Sequence, residues 1–460
     1  MNSLLIPPSG SAVPIHLVSA QTWPGYRDRL PPAQRNFAQA LGFGARTGQY
    51  CVLPDADGLP AAVFLGIEAA GQRRDPFGPA RLAALLPPGD YVLSGEVDEP
   101  TLATLGWLLQ GYRFDRYRKP NPPRARLSLP DGVDGDEISL IAESTMQARD
   151  LVNTPANELG PGEIEAAIRR LAAECGATVT SIIGDDLIAR NFPMIHAVGR
   201  ASPRAPRLVD LVWGDPGHPR ITLVGKGVAF DTGGLNLKPD ASMLLMKKDM
   251  GGAAAAIATA RMIMLAKLPV RLRLLVPAVE NAVSGNAFRP GDVLASRKGL
   301  SVEIGNTDAE GRLILADALA LADEEAPEFL VDFATLTGAA RTALGPELPA
   351  FYTHDEGLAG EIARTGMTVN DPVWRMPLWA PYDTMLDSKI ADVNHVSSGG
   401  MAGSVTAALF LNRFVEKTQS YAHFDIYAWN PASKPGRPEG GECQGARLIH
   451  ALVKRFYPPG

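Results

Sequence analysis

In the first third of the chain, strand-like and helix-like apolar patterns follow each other irregularly, whereas in the remainder they alternate regularly. In the first third, short apolar stretches bounded by glycine, proline or aspartate predict strands at Tyr50–Leu53, Ala61–Ile67 and Asp90–Val97. Helical spacing of apolar residues follows in TLATLGWLLQGYRF, which begins at Thr101. We therefore expect a smaller N-terminal α/β domain at residues 1–120.

A polar, proline-rich stretch separates this region from the rest of the chain. Residues 121–137 contain prolines, glycines and several charges and show no apolar periodicity. Such a composition is typical of a connecting segment. We therefore predict a linker at residues 121–137.

From residue 138 onward, predicted strands and helices alternate. The predicted strands are Leu208–Trp213, Ile221–Phe230, Arg271–Val276 and Phe329–Ala334, and the predicted helices lie near Glu163–Glu174, Gly252–Leu268 and Arg312–Ala322. This alternation is typical of a largely parallel sheet that is covered by helices on both faces. We expect residues 138–460 to form a larger α/β domain with a mixed, mainly parallel central sheet flanked by helices.

Composition and charge argue against several classes of protein. The formal net charge of −6 over 460 residues gives no electrostatic reason to expect a nucleic-acid partner. No apolar stretch reaches about 18 uninterrupted residues, so we expect no membrane span. The N-terminal segment lacks a basic region followed by an apolar run, and the three cysteines form no C-x-x-C pair. We therefore expect a cytoplasmic protein without a thiolate zinc site.

Several common catalytic motifs are missing from the sequence. It contains no G-x-S-x-G, no H-E-x-x-H and no phosphate-binding G-x-x-x-x-G-K-[ST]. The seven histidines are dispersed without ligand spacing, and His423 in YAHFDIYAWN is best interpreted as a hydrogen-bonded core histidine. Serine hydrolases, zincins and nucleotide-binding proteins are therefore not supported.

Charged residues instead gather where predicted strands end. Lys226 ends an apolar strand, and Asp231 follows five residues later, with Lys238 beyond the next turn. In a regular strand, positions five residues apart point to opposite faces. Gly225 and Gly227 stand where a bulge or bend could turn both side chains to the same side.

Two further segments place carboxylates at predicted helix starts. Asp249 precedes one apolar helix, and Asp308, Glu310 and Arg312 occupy every second position before another. Ligands of open α/β sheets bind at the carboxyl ends of the strands, and carboxylates gathered there could hold two divalent cations. Spacing alone leaves this hypothesis open beside the alternative of solvated charges and helix caps.

Three motifs resemble the signatures of the leucyl aminopeptidase (M17, cytosol aminopeptidase) family. They are VGKGVAFDTGG, MKKDMGGAAA and, most specifically, NTDAEGRL. LVNTPANELGP, DFATLTGAA and IADVNHVSSGGMAGSVTAALFL match further blocks in the same order, from about Asp150 to the C-terminus. The resemblance implies that residues 138–460 form a catalytic metallopeptidase domain.

The resemblance also implies a cofactor and a mechanism. The family uses two divalent ions per subunit, with zinc or manganese as the first candidates and magnesium or cobalt as further ones. The implied ligands are Lys226, Asp231, Asp249, Asp308 and Glu310. Asp231 and Glu310 would bridge the ions, Asp308 would complete the more exchangeable site, and Lys226 with Asp249 the tighter one. A water or hydroxide bridging the ions would release N-terminal amino acids from peptides.

Further positions match catalytic and substrate-binding residues of the family. Lys238 would stabilise the oxyanion, and Arg312 would hold a bicarbonate that the backbone amide of Leu336 helps to position. The positions that match the pocket for the first side chain are Met246, Thr335 and Gly338. The implied partners are peptides with a free N-terminus, and the implied assembly is a homohexamer.

One position departs from the family pattern. The family commonly has D-I-A-G after the late histidine, where this chain has D-I-Y-A with Tyr427 at the third position. If its side chain points inward, Tyr427 narrows the pocket wall. We therefore predict a preference shifted from bulky leucine toward smaller or differently shaped first residues.

Two alternatives belong to other functional classes. The stretch Arg113–Arg126 is basic, as in a nucleic-acid-binding regulator, but the net charge is negative and no helix-turn-helix signature is present. A two-metal phosphoesterase would generally add histidines or a phosphate cradle, and this set of acids and lysines has neither.

Overall fold

The computed structural model describes residues 2–119 and 124–459, which divide into two compact units. One unit comprises residues 1–146 with 432–439, and the other comprises residues 147–431 with 440–460. Residues 121–123 of the predicted linker lie outside the described residues. The remainder of that segment contains a strand at Ala125–Ser128 and the start of a helix at Gly135.

The N-terminal unit is built on a six-stranded sheet with the order β1-β6-β5-β2-β4-β3. Its strands are β1 (Leu5–Ile6), β2 (Val13–Val18), β3 (Tyr50–Pro54), β4 (Pro60–Gly66), β5 (Gly89–Gly95) and β6 (Ala125–Ser128). Its helices are α1 (Trp23–Arg27), α2 (Pro32–Ala40), α3 (Pro100–Gln110) and the first part of α4 (Gly135–Asn153), with a 3-10 helix at Gly78–Ala84. Every pairing is parallel except that between β3 and β4. The three predicted strands are confirmed as β3, β4 and β5.

The larger unit carries most of the secondary structure. Its strands are β7 (Thr178–Ile183), β8 (Arg207–Trp213), β9 (Arg220–Gly225), β10 (Gly227–Asp231), β11 (Arg271–Asn281), β12 (Val293–Ala295), β13 (Ser301–Glu303), β14 (Phe329–Ala334), β15 (Ala350–Tyr352), β16 (Trp374–Arg375), β17 (Val393–Asn394), β18 (Tyr421–Asp425), β19 (Trp429–Asn430) and β20 (Gly440–Gly441). Beside the end of α4, its α-helices are α5 (Pro161–Cys175), α6 (Asp186–Ala189), α7 (Pro193–Gly199), α8 (Asp240–Met243), α9 (Gly251–Leu265), α10 (Glu310–Glu324), α11 (Gly338–Leu344), α12 (Glu356–Thr368), α13 (Gly403–Asn412) and α14 (Ala446–Phe456). Short 3-10 helices cover Met246–Met250, Thr307–Ala309 and Ala380–Leu386.

The central sheet of this unit has the order β16-β15-β18-β14-β9-β11-β8-β7, with β10 paired to β11. Strands β18, β14, β9, β11 and β10 run parallel, whereas β15, β8 and β7 pair antiparallel to their inner neighbours. Helices α9 and α10 are buried along nearly their whole length and pack on the parallel strands. The predicted two-domain α/β fold with a mixed, mainly parallel sheet is confirmed. Within the described residues, no helix is long and apolar enough to cross a membrane.

The prediction of one continuous strand at Ile221–Phe230 is wrong, because the chain breaks pairing at Lys226. The Lys226 N–H still makes the last ladder bond to β14, donating to the carbonyl of Phe333 at 2.9 Å, but its own carbonyl leaves the sheet and accepts from the Ala253 N–H at 2.8 Å. Strand β9 therefore pairs with β14 and β11 up to Gly225, and β10 continues along β11 alone. This break lets Lys226 and Asp231 reach the same side of the sheet.

Candidate metal centre

The charged residues singled out from the sequence lie at the carboxyl edge of the parallel strands. Lys226 follows β9, Asp231 ends β10, Thr335 follows β14 and Asp425 ends β18. Because these strands are parallel, their carboxyl ends meet at one edge of the sheet, where α/β proteins bind ligands. The structure brings the predicted residues to that edge.

Two glycines allow helix α9 to start directly against the sheet. A methyl group on Gly252 would lie 2.1 Å from the carbonyl oxygen of Phe333, and one on Gly225 would lie 2.6 Å from the Cα of Ala253. Only hydrogen at both positions permits this approach of backbone to backbone. The 3-10 helix that precedes α9 therefore carries Asp249 over the end of β9.

Lys226 and Asp249 form the deeper half of the site. The Lys226 Nζ lies 2.8 and 2.7 Å from the two carboxylate oxygens of Asp249 and 3.1 Å from Oε1 of Glu310. It also donates to the Thr335 carbonyl at 3.0 Å, while the Thr335 hydroxyl donates to Asp249 Oδ1 at 2.8 Å. Thr335 therefore orients Asp249 in addition to lining the cavity.

Asp231, Asp308 and Glu310 form the outer half. One carboxylate oxygen from each lies within 4.8 Å of the others. The Lys238 Nζ lies 2.8 Å from Asp231 Oδ2 and also contacts Asp308. Asn281 donates to the other oxygen of Asp231 at 2.8 Å, which fixes the direction of that carboxylate. The three carboxylates therefore converge from two separate segments.

Crowding of buried carboxylates perturbs their titration. Burial, reinforced by the negative charge of Asp231, raises the pKa of Glu310 to about 8 and that of Asp308 to about 6. Burial alone would lower the pKa of Lys226, but the charges of Asp249, Glu310 and Asp231 outweigh it and hold the pKa well above its usual value. A cluster of this kind takes up positive charge readily.

The donor set suits divalent cations. Carboxylate oxygens are common ligands of magnesium, manganese and zinc sites, and Oε2 of Glu310 is buried without a hydrogen-bond partner among the residues that the structure describes. Such an orphaned carboxylate oxygen is costly unless a cation satisfies it. The residues at this edge therefore fit a metal centre.

Arg312 lies two residues beyond Glu310 on α10 and lines the same cavity. One terminal nitrogen donates to the His395 carbonyl at 2.7 Å, while its Nε is buried without a hydrogen-bond partner in the described part of the chain. Burial lowers the pKa of Arg312 to about 10. The guanidinium therefore keeps its charge at neutral pH and retains an unused donor.

The candidate metal ligands line a cavity of about 230 Å³. The residues matched to substrate binding all line it, namely Met246, Thr335, Leu336, Gly338 and Tyr427. The Leu336 N–H donates to Asp425 Oδ1 at 3.1 Å, so a bicarbonate there would share that amide with a carboxylate. Tyr427 is thus part of the lining, and a narrowing of the pocket by its side chain stays a prediction.

Sequence reasoning missed three charged residues that line this cavity: Lys248, Arg341 and Asp425. Lys248 stands beside Asp249 in MKKDM, and Asp425 begins the D-I-Y-A run. Both residues lie within motifs already singled out, so their closeness in sequence to the matched residues could have identified them. Arg341 lies on α11 and carried no such signal.

Comparison with known proteins places these motifs in a family. The model of the cytosol aminopeptidase family catalytic domain matches residues 146–450, and that of the M17 aminopeptidase N-terminal domain matches residues 13–130. A probable cytosol aminopeptidase of Syntrophotalea carbinolica is 41% identical over 370 residues, which cover 76% of this chain and 74% of the relative.

Two solved structures share the fold over nearly the whole chain. The cytosol aminopeptidase of Coxiella burnetii has a TM-score of 0.94 and 43% identity, covering 99% of this chain and 100% of its own. The bottromycin maturation enzyme BotP, solved in complex with Mn, has a TM-score of 0.88 and 32% identity, covering 97% of this chain and 100% of its own. With the domain matches, this similarity shows that the chain belongs to the cytosol aminopeptidase (M17) family of metal-dependent peptidases.

Proposed function

We propose that this enzyme releases N-terminal amino acids from peptides by attack of a water or hydroxide that bridges two divalent metal ions. The observation that carries the proposal is the convergence of Asp231, Asp308 and Glu310 within 4.8 Å, directly beside the Lys226–Asp249 pair. When bound, the ions would activate that water and polarise the scissile carbonyl.

The ligands would divide between two positions in the cluster. Asp231 and Glu310 both belong to the outer carboxylate group and both act on Lys226, Glu310 by a contact of 3.1 Å and Asp231 through its charge, so they would serve both positions. Asp308 is the most exposed of the five and suits the more exchangeable position, whereas Lys226 and Asp249 are buried. Lys226 would act as a ligand through its neutral amine, since cations in the cluster would reverse the field that favours its ammonium form.

Lys238 and Arg312 would act on the reacting atoms. Burial would lower the pKa of Lys238, but the carboxylates of Asp231, Glu310 and Asp308 outweigh it and raise the pKa, which keeps Lys238 a cation able to stabilise charge that develops on the carbonyl oxygen. Arg312 offers its unused Nε donor to a bicarbonate, which would carry the proton to the leaving amine. No histidine lines the cavity among the described residues.

Other parts of the proposal are supported by the family resemblance. The manganese complex of BotP favours manganese as the ion, with zinc, magnesium and cobalt as alternatives. A homohexameric assembly and a cytoplasmic location complete the proposal. The substrates would be peptides with a free N-terminus.

Removal and return of metal tests this function. We expect enzyme stripped with a chelator to lose hydrolysis of leucine anilide and to regain it in two steps as Mn²⁺ or Zn²⁺ is added. N-acetyl-leucine anilide should resist the restored enzyme, because its α-nitrogen is no longer a free amine. Equal rates on the two anilides, or full activity in the stripped enzyme, would contradict the proposal.

A further inference from the structure

Lys248 is a buried cation without an ionic partner. Lys248 is only 4% exposed, yet it lines the same cavity as the carboxylate cluster. Within the described residues, its ammonium group forms no ion pair or hydrogen bond, and it lies 4.9 Å from the centre of the Tyr427 ring. The aromatic ring is therefore its principal neighbour.

A second cation shares that ring. The Arg341 guanidinium lies 4.8 Å from the centre of Tyr427 and also lines the cavity. Arg341 is exposed and, in the part of the chain that the structure describes, likewise pairs with no carboxylate. Two like charges around one tyrosine repel each other, and the ring compensates only part of that repulsion.

The nearest acids are already engaged. Asp249 contacts Lys226 with both oxygens and accepts from Thr335. Asp425 accepts the N–H groups of Leu336 and Thr337 at 3.1 Å each, and its other oxygen accepts two hydroxyls. Both are close enough to attract Lys248, but neither forms a direct bond with it.

A buried ammonium that lacks a bonded counter-charge is costly, and an arriving carboxylate would relieve that cost. Lys248 and Arg341 supply several N–H donors around the Tyr427 ring in the lining of the cavity. An anionic group is the chemistry that would satisfy both.

We propose that Lys248, Arg341 and Tyr427 form an anion subsite that selects peptides with glutamate or aspartate as the first residue. The inference rests on the proposed function and names its preferred substrate. The subsite shares one cavity with the proposed metal ligands and with Met246 and Thr335, so a first side chain that enters the cavity would meet these cations. Tyr427 then orients the cations in addition to narrowing the pocket.

Matched anilides isolate the side chain, since they lack a C-terminal carboxylate. We expect wild-type enzyme to hydrolyse glutamate anilide with a kcat/KM about ten- to a hundredfold above that for glutamine anilide. Lys248→Met should abolish this preference, chiefly through a higher KM for the glutamate substrate. Because the readout is a ratio of two isosteric substrates, a general loss of activity does not alter it.

Lys247→Met is the matched control on the same 3-10 helix. Lys247 donates to the Asn153 carbonyl at 2.7 Å and does not line the cavity, so this variant should keep the glutamate preference. If Lys248→Met fails to fold, competition on the wild-type enzyme decides, with free L-glutamate expected to inhibit leucine anilide hydrolysis more strongly than L-glutamine.

Three results would overturn the inference while leaving the proposed function standing. Wild-type enzyme could hydrolyse both anilides equally well, or both lysine variants could change the ratio alike. Lys248→Met could also lower kcat/KM for free dipeptides but not for their C-terminal amides, whatever the first residue. That result would assign the cations to the substrate's C-terminal carboxylate. Failure of the proposed function itself would instead show as no metal-dependent hydrolysis of any anilide.

Discussion

Replacing Glu310 by glutamine is expected to lower kcat on an aminoacyl anilide by at least about a thousandfold, because metal-assisted catalysis supplies several kcal/mol of stabilisation to the transition state. Glu310 is the residue that links both halves of the cluster, contacting Lys226 at 3.1 Å and grouping with Asp231 and Asp308. The amide keeps the shape but loses the charge. Steady-state kinetics at saturating metal measures the effect.

The same variant should change how stability depends on pH in metal-free protein. Burial and the charge of Asp231 raise the pKa of Glu310 from 4.5 to about 8 in the folded state. Since the folded state holds this proton more tightly, the stability it contributes is full below about pH 4.5 and is lost as the pH rises to about 8. The melting temperature of metal-free wild type should therefore fall across this range more steeply than that of Glu310→Gln.

Glu324→Gln on the same helix is the matched control. Its side chain is half exposed and pairs with Arg297 at 2.7 Å, away from the cavity. This variant should keep wild-type kinetics and the wild-type pH profile of melting. Normal turnover in Glu310→Gln, or equal losses in both variants, would show that the site is assigned wrongly.

Replacing Gly252 by alanine is expected to lower the free energy of unfolding by about 2–3 kcal/mol and kcat by at least about a hundredfold. The added methyl group would lie 2.1 Å from the carbonyl oxygen of Phe333, a backbone atom that cannot move aside. Helix α9 must shift away from the sheet, and Asp249, in the 3-10 helix that leads into α9, moves with it. Chemical denaturation and steady-state kinetics measure the two effects.

Gly360→Ala provides the control for Gly252→Ala. Gly360 lies inside α12 with no heavy atom within 4 Å of an added methyl group. Alanine there should stabilise the protein by about 0.5–1 kcal/mol through helix propensity and leave kinetics unchanged. If Gly252→Ala were as harmless as this control, the close approach of α9 to the sheet would not position Asp249.

Periodicity alone predicted much of the fold, since strands β8, β11 and β14 and helices α5, α9 and α10 lie where apolar spacing placed them. The expected family membership and enzyme class are confirmed by the domain matches at residues 146–450 and 13–130. The second match covers a region that contains none of the quoted motifs, since all of them lie beyond about residue 150. Its apolar pattern predicted only an α/β domain.

The remaining features depend on contacts between distant segments. The strand break at Lys226 depends on the bond between its carbonyl and the Ala253 N–H at the start of α9, and Gly225 and Gly227 were the only sign of it in the sequence. Arg341 reaches the cavity because α11, which carries it, follows directly after β14, and no pattern in the sequence predicted that position. Metal-ligating roles, domain boundaries and the linker remain predictions.

Anomalous diffraction from crystals soaked in manganese or zinc distinguishes a two-metal centre from a cluster of charges that binds no metal. We expect two strong peaks within bonding distance of these side chains, with Asp231 and Glu310 contacting both ions, Asp308 contacting one, and Lys226 and Asp249 contacting the other. Peaks elsewhere, or a well-ordered cluster with these five side chains and no ion among them at saturating metal, would contradict this expectation.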